Sequence, residues 1–204
     1  MKMRNINLIV FWFIICFSIF SCKENQKDIT EEDQKEAVLN SFTDEFTKNL
    51  FIEGVGLLEK GEVEEARTRF YEANEIEPGN IYVLNTIASV EYQHGDFYRA
   101  MELYQTNIDS HPEFFDTYIQ YSTILIENRE VPKAIEILNI GESHLPETEN
   151  KKYEFFYNLA LAHYLNRDCE MSQKYVETVL EMPLDDKQTG KAKKLREEIK
   201  NNCR

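Results

Sequence analysis

The sequence contains few of the residues that build catalytic or cofactor sites. Among 204 residues there are four histidines, four cysteines and seven glycines. No histidine or cysteine pair has a metal-ligand spacing such as H-E-x-x-H or C-x-x-C, and the glycines form no phosphate-binding loop. His163 and Cys169 are the only pair that could be written as a base and a nucleophile, and Cys169 has a better use in a disulfide. We therefore expect no metal, no cofactor and no enzymatic activity.

Positive charge is also scarce. The chain has 23 Lys and Arg residues against 37 Asp and Glu residues, a net charge of −14. Nucleic-acid affinity depends on neutralising phosphates, so this balance argues against DNA or RNA as a partner. It equally disfavours direct adsorption to anionic lipid head groups. The charge balance therefore predicts no nucleic-acid partner, and without a catalytic site we also expect no small-molecule substrate.

Only one long apolar run is present, and it lies near the N-terminus. Leu8 to Phe20 is apolar over 13 residues except for Ser18, and Lys2 and Arg4 precede it. A bilayer-spanning helix needs about 20 such residues. The length and the charge order are typical of a signal peptide that is removed. The alternative is an uncleaved signal anchor.

The residues that end this run, Ile19 to Cys22, resemble the lipobox of bacterial lipoproteins. The resemblance implies that residues 1–21 are cleaved off and that Cys22 becomes the lipidated first residue, carrying acyl chains such as palmitate. Two or three chains would make the membrane attachment effectively permanent, because each buried methylene contributes about 0.8 kcal/mol.

The segment 22–36 that follows is nearly all polar, with Ile29 as its only large apolar residue. Such a segment cannot bury enough apolar surface to fold alone, so we expect a flexible tether. The expected location is the bacterial cell envelope, at the outer membrane facing the periplasm, with surface exposure as the alternative.

A spacing of 34 residues recurs through the rest of the chain. Four series share one frame, and their members are Ala66, Ala100 and Ala134; Pro78, Pro112 and Pro146; Gly61 and Gly95; and Phe70, Tyr104 and Leu138. A fixed period of this length is typical of a stacked repeat array. Each unit reads as two helices: in the second unit, Ile81 to His94 is helical, Gly95 ends the helix, and the next helix follows from Asp96 to about Ser110.

These units resemble tetratricopeptide repeats (TPRs). The resemblance implies an all-α fold, a right-handed solenoid of helical hairpins with a long concave surface. The TPR-like array spans 37–186, with units at about 47–80, 81–114, 115–148 and 153–186, and a capping helix occupies 187–204. The chain departs from the family pattern at a few positions, which are Glu53 for Leu, Arg129 and Arg167 for the inter-helix Gly, and Ser172 for Ala.

In this family the first helix of each unit lines the concave groove. Transferring those positions predicts a protein-binding groove of Tyr82, Asn85, Ser89, Tyr92, Gln93, Gln120, Tyr157, Asn158 and Tyr164. Asn and Gln can bond an extended peptide backbone, and Tyr combines apolar area with a polar tip. The prediction is a membrane-tethered adaptor that binds an extended segment of an envelope protein. The alternative is a scaffold subunit of an envelope assembly that docks by its outer faces, with the groove as a plain inner wall.

The two cysteines of the C-terminal part are expected to form a disulfide. Cys169 opens the second helix of the fourth unit, and Cys203 closes the capping helix, predicted at about Gln188 to Asn201. Antiparallel neighbouring helices would bring these two ends together, and an exported protein meets oxidising conditions. Two free thiols are the alternative.

Overall fold

A computed structural model describes residues 31–145 and 151–203. Within these ranges the chain forms ten helices and no strand, and none of the helices is long and apolar enough to cross a membrane. The helices are α1 Glu31–Asn40, α2 Glu45–Glu59, α3 Val63–Ile76, α4 Ile81–His94, α5 Phe97–Ser110, α6 Phe115–Glu127, α7 Val131–Glu142, α8 Lys152–Leu165, α9 Cys169–Leu180 and α10 Asp186–Asn202. The predicted signal peptide and Cys22 lie outside the described residues, and so does Pro146.

The helices pair as hairpins in chain order. The pairs α2 with α3, α4 with α5, α6 with α7 and α8 with α9 each pack against the next pair, and α10 packs on the last. This arrangement confirms the predicted all-α helical-hairpin solenoid. The bounds of α4 agree with the sequence prediction, and Asp96 caps α5 by accepting a hydrogen bond from the Arg99 backbone N–H. Helix α10 begins two residues before the predicted Gln188, because Asp185 and Gln188 form a capping box.

Helix α1 lies partly where the sequence predicted a flexible tether. Residues 31–36 are helical, and the chain beyond them packs onto the array through Val38 and Phe42. The ring centroids of Phe42 and Phe51 are 5.2 Å apart. The helix begins inside the segment 22–36 that the sequence assigns to the tether, and residues 22–30 of that segment lie outside the described part of the chain.

The turn inside each hairpin uses the same left-handed backbone in all four units. Gly61 and Gly95 have φ of 80° and 100°, and Arg129 and Arg167 have φ of 65° and 63° at the equivalent turns. A side chain with a Cβ pays a conformational cost in this region, whereas glycine does not. The two arginines keep the repeat geometry at that cost.

Small residues allow the two helices of a unit to approach closely. Ala66, Ala100 and Ala134 are completely buried, as is Ser172 at the equivalent place in the fourth unit. The Ser172 hydroxyl donates to the carbonyl of Ala160 at 2.8 Å, so the polar replacement is satisfied.

Two glycines inside helices lie at equally close contacts. A Cβ on Gly54 would lie 2.7 Å from the Phe70 ring, and one on Gly141 would lie 2.8 Å from the Tyr118 ring. Real side chains do not tolerate such distances, so larger residues at these positions would force the neighbouring helix away.

The buried residues fall into two main groups. The N-terminal cluster, built around Phe51 and Phe70, lies within α2–α4. The larger C-terminal cluster runs from Ala88 in α4 to Ile199 in α10. The array therefore has a continuous core over its last three repeats and a smaller one at its start.

A disulfide joins Cys169 at the start of α9 to Cys203 at the end of α10. The two Cα atoms are 5.6 Å apart. The pairing expected from the sequence is present, and it fastens the capping helix to the last hairpin.

Candidate partner-binding cavity

A cavity of about 550 Å³ lies between the first helices of repeats two, three and four, with one residue from the capping helix at its edge. It is lined by Ser89, Tyr92, Gln93, Tyr104, Ile119, Gln120, Thr123, Ile124, Glu127, Tyr153, Glu154, Tyr157, Asn158 and Lys191. The predicted groove residues among them are Ser89, Tyr92, Gln93, Gln120, Tyr157 and Asn158. The structure thus brings six of the nine predicted residues to one place.

The repeat period explains why these side chains converge. Ser89 and Gln93 are four residues apart in α4 and therefore share one face of that helix. Adding 34 residues gives Thr123 and Glu127 in α6, and both line the same cavity. A position that faces inward in one repeat faces inward in the next.

Hydrogen bonds within the array fix the floor of the cavity. Tyr104 of α5 is completely buried, and its hydroxyl donates to Oε1 of Gln120 at 3.2 Å. The same oxygen accepts from Nδ2 of Asn85 at 2.8 Å. Burial raises the pKa of the Tyr104 phenol well above its usual value, so the phenol stays neutral. Gln120 is thereby held in place by both helices of repeat two.

Asn85 does not offer its amide to a partner. Its side chain is buried, and it lies outside the cavity lining. Nδ2 donates to Gln120, and Oδ1 accepts from the Thr117 hydroxyl at 3.0 Å. The sequence expectation of a free peptide-binding amide at this position is corrected: Asn85 joins repeat two to repeat three.

Asn158 of repeat four performs the same task at the interface with repeat three. It is buried, and its Nδ2 donates to the hydroxyls of Ser122 at 3.1 Å and Thr123 at 2.9 Å. Asn158 does line the cavity, but its donor group is already engaged across the interface between α6 and α8. The expectation of a free amide is corrected here too.

Tyr92 forms one edge of the cavity together with Glu127. Its hydroxyl donates to Oε2 of Glu127 at 2.8 Å and accepts from Nδ2 of Asn128 at 3.1 Å. Burial, and then the hydrogen bond to Glu127, raise the pKa of Tyr92. This short chain of hydrogen bonds holds the exposed carboxylate of Glu127 in one orientation.

Tyr153 and Tyr157 of α8 form the opposite edge. Their ring centroids are 5.8 Å apart. Tyr153 is only 7% exposed, and its hydroxyl has no hydrogen-bond partner among residues 31–145 and 151–203. Burial raises the pKa of Tyr153 to about 12. The hydroxyl is buried beside Val179 and Ala192, so the Tyr153 ring borders the cavity while its polar end points into the array.

Two predicted groove tyrosines lie outside the cavity. Tyr82 packs edge-on against Phe114, with ring centroids 5.0 Å apart. The Tyr164 hydroxyl accepts a hydrogen bond from Nδ2 of Asn202 at 2.7 Å and so connects α8 to the capping helix. Both serve packing between neighbouring elements in this structure.

Three charged residues of the cavity were not predicted from the sequence, and they are Glu127, Glu154 and Lys191. Glu127 could have been found, because it lies 34 residues after the predicted Gln93. Lys191 could not, since it belongs to the capping helix, whose packing is not set by the repeat period.

The described part of the chain shows no group of three His, Cys, Asp or Glu residues that could hold a metal ion. Nδ1 of His163 lies 3.0 Å from Oδ2 of Asp168, and the neighbouring Cys169 is bound in the disulfide. The sulfur of Cys169 is therefore not available as a nucleophile in this form of the protein.

The fold is similar to that of several solved structures. The structure of PilF from Pseudomonas aeruginosa has 18% sequence identity, covers 82% of this chain and 72% of its own, and has a TM-score of 0.64. A tetratricopeptide repeat protein from Parabacteroides merdae has 17% identity, with 76% and 60% covered and a TM-score of 0.63. YrrB, described as a TPR protein with an unusual peptide-binding site, has 14% identity, with 72% and 74% covered and a TM-score of 0.58.

No protein-family model matches the sequence, and no curated protein sequence matches it. At the identities of the solved structures, the likeness shows the fold alone. The repeat period, the paired helices and these structural neighbours agree: the described chain has the fold of a tetratricopeptide repeat solenoid.

Proposed function

We propose that this protein is a lipid-anchored adaptor that binds an extended segment of an envelope protein in the cavity between α4, α6 and α8. The observation that carries the proposal is the convergence of partly open polar and aromatic side chains from three successive repeats on one cavity. Binding surfaces of this kind combine aromatic area with a small number of polar groups that set orientation.

The cavity offers a peptide both apolar area and hydrogen-bonding groups. Tyr92 and Tyr157 supply ring surface, and Gln93 projects an exposed amide beside them. The peptide-binding site named for the structural neighbour YrrB is consistent with such a role.

Binding can be tested by filling the cavity. Gln93→Trp places a large side chain at an exposed lining position and should weaken partner capture about tenfold or more, because it occupies the space of the bound segment. Gln105→Trp on the outer helix α5 is the matched control. The measurement is affinity capture from detergent-solubilised envelopes, with melting temperatures checked for both variants. Equal capture by two equally stable variants would contradict the proposal.

The membrane anchor is proposed from the sequence. The lipobox-like residues ending at Cys22 support lipidation there, and the scarcity of other long apolar runs supports attachment through lipid. We propose that the array faces the periplasm from the outer membrane.

The anchor can be tested by substitution of the lipidated residue. Cys22→Ala should leave an uncleaved precursor or release the protein from membranes. The only tryptophan, Trp12, lies in the segment that is removed, so protein purified from its native membrane should show tyrosine emission only.

A scaffold role is the second candidate, and one observation favours it. Phe46 and Ile76 are 62% and 47% exposed, and they border a separate hollow of about 510 Å³ between α2 and α3. Exposed apolar area of this kind can dock a broad partner surface. Loss of the partner in Phe46→Ser, together with full retention in Gln93→Trp, would favour this role over groove binding.

A further inference from the structure

The charged groups of the cavity are unpaired. Glu127 and Glu154 contribute two carboxylates and Lys191 one ammonium, so the lining carries a net charge of −1. None of these three residues forms an ion pair with any part of the chain that the structure describes. Elsewhere in the array many charges are paired, as with Arg67 and Glu91. A bound partner could therefore satisfy charges that the array itself leaves unpaired.

Glu127 is the cavity carboxylate whose orientation is best fixed for binding a charged group of a partner. The Tyr92 hydroxyl holds Oε2, and Asn128 in turn holds the Tyr92 hydroxyl. Oε1 has no hydrogen-bond partner among the described residues. An oriented carboxylate with a free oxygen accepts a charged donor at a lower entropic cost than a mobile side chain would.

Aromatic rings border the same space. Tyr92, Tyr153 and Tyr157 all line the cavity, and the face of an aromatic ring attracts a cation. A flexible aliphatic stem can lie along such rings while its charged head reaches a carboxylate. Lysine and arginine have this combination of stem and charge, whereas a small cation such as sodium lacks the stem.

Lys191 and Glu154 also line the cavity, on α10 and α8. Glu127 is the charged lining residue that bonds to Tyr92. The whole chain has a net charge of −14. At long range this charge repels acidic partner segments and attracts basic ones.

Resting on the proposed function, we propose that the cavity selects an extended segment that places a lysine or arginine side chain against Glu127 and Tyr92. The ammonium or guanidinium group donates to the free Oε1 of Glu127. The aliphatic stem crosses the rings of Tyr92 and Tyr157.

The test uses a random library of short displayed peptides, selected on the purified full-length protein in detergent micelles. The expected result is enrichment of Lys or Arg at one peptide position. A synthetic copy of a selected peptide should bind Glu127→Gln about fivefold to tenfold more weakly, and replacing its basic residue by Gln should have the same effect. The glutamine variant still accepts the Tyr92 hydrogen bond, so the edge of the cavity keeps its shape.

Glu136→Gln is the matched control, because Glu136 is an exposed glutamate on the outer helix α7 and does not line the cavity. It should leave the affinity of the peptide unchanged. Glu127→Lys should shift the selected residue from Lys or Arg to Asp or Glu. Equal affinity for Glu127→Gln and Glu136→Gln, or a selection without charge preference, would overturn the inference.

The Gln93→Trp variant separates the two proposals. If it abolishes binding of the selected peptides but Glu127→Gln does not, the groove binds peptides and only the basic preference is wrong. If the selected peptides bind Gln93→Trp as well as the wild type, they do not occupy the cavity, and both proposals fail.

Discussion

The two ends of the array are held together in different ways. At the N-terminal end, Val38 of helix α1 and Phe42 just after it join a small cluster, and a buried carboxylate, Glu91, links repeat two to repeat one. At the C-terminal end, a disulfide fastens the capping helix, and a large core with many aromatic rings continues through three repeats. One end depends on a few side-chain contacts, and the other is closed covalently.

The difference shows how a repeat array can keep a binding surface rigid. Each unit contacts mainly its neighbours, so stability is a sum of local interfaces and the ends fray first. The cavity lies over the fastened end, and the capping helix itself supplies Lys191. We expect hydrogen exchange in the native protein to be faster in α2 and α3 than in α6 to α9.

The largest expected effect comes from opening the disulfide. It closes a loop with a sequence separation of 34 residues, so Cys169→Ser with Cys203→Ser should lower the free energy of unfolding by about 3–4 kcal/mol in the chain-entropy model. The loss should concentrate in α9 and α10. Chemical denaturation and hydrogen exchange measure it, and reductant should reproduce the effect in the wild type but not in the double variant. If hydrogen exchange in α10 is unchanged in the double variant, the disulfide does not make the C-terminal end more stable than the N-terminal end.

The next largest effect concerns the N-terminal link. Glu91 is completely buried, and it accepts hydrogen bonds from Nε of Arg67 at 2.7 Å and from the Tyr71 hydroxyl at 2.8 Å. Arg67→Ala leaves this carboxylate without its counter-charge and should cost about 2 kcal/mol, since Arg67 is itself half exposed. Lys48→Ala, which removes an exposed ion pair with Glu45, should cost less than about 0.5 kcal/mol. Chemical denaturation measures the free energy of unfolding of both variants. If Arg67→Ala loses no more than Lys48→Ala, the buried link between Arg67 and Glu91 does not stabilise the array.

Equivalent close contacts in the two regions allow a direct comparison. Gly54→Ala and Gly141→Ala each introduce a methyl group against an aromatic ring and should cost about 1–2 kcal/mol. Gly56→Ala, where no atom lies within 4 Å, should instead stabilise by about 0.5 kcal/mol. Hydrogen exchange should show the loss from Gly54→Ala in α2–α4 and that from Gly141→Ala in α6–α8. A uniform loss over the whole array would show that the two regions unfold together.

The smallest effect concerns the inter-helix turns. Arg129→Gly and Arg167→Gly remove a Cβ from a left-handed backbone and should each stabilise the fold by up to about 1 kcal/mol. Gly61→Ala and Gly95→Ala make the opposite change and should cost about 1 kcal/mol. Melting temperatures of the four variants check the prediction. If glycine destabilises the fold at both positions, the arginine side chains stabilise it by more than the left-handed backbone costs.

Much of the fold could be predicted because one frame repeats. The period placed Ala100 in the close contact between two helices and Gly95 at a left-handed turn, and the structure has both. The resemblance to tetratricopeptide repeats predicted six of the cavity residues, because the first helix of each unit lines the groove in that family. These are properties of single repeats, which a sequence pattern describes well.

The parts that were missed depend on how repeats stack and how the array ends. Asn85 and Asn158 are on the inner helices, but both side chains turn towards the neighbouring repeat three and become interface residues. Lys191 and helix α1 belong to the ends, where no periodic equivalent exists for comparison. The unpartnered hydroxyl of Tyr153 results from three-dimensional packing and has no sequence signal.

The central claim is that partners bind on the concave side, over the fastened end. A photo-crosslinking phenylalanine analogue at Tyr157, which lines the cavity, tests it against the same analogue at Tyr98, which is 83% exposed on the outer helix α5. After irradiation of intact cells, we predict a discrete crosslinked protein from position 157 and none from position 98. A crosslink from position 98 alone would contradict the claim and support docking by the outer face.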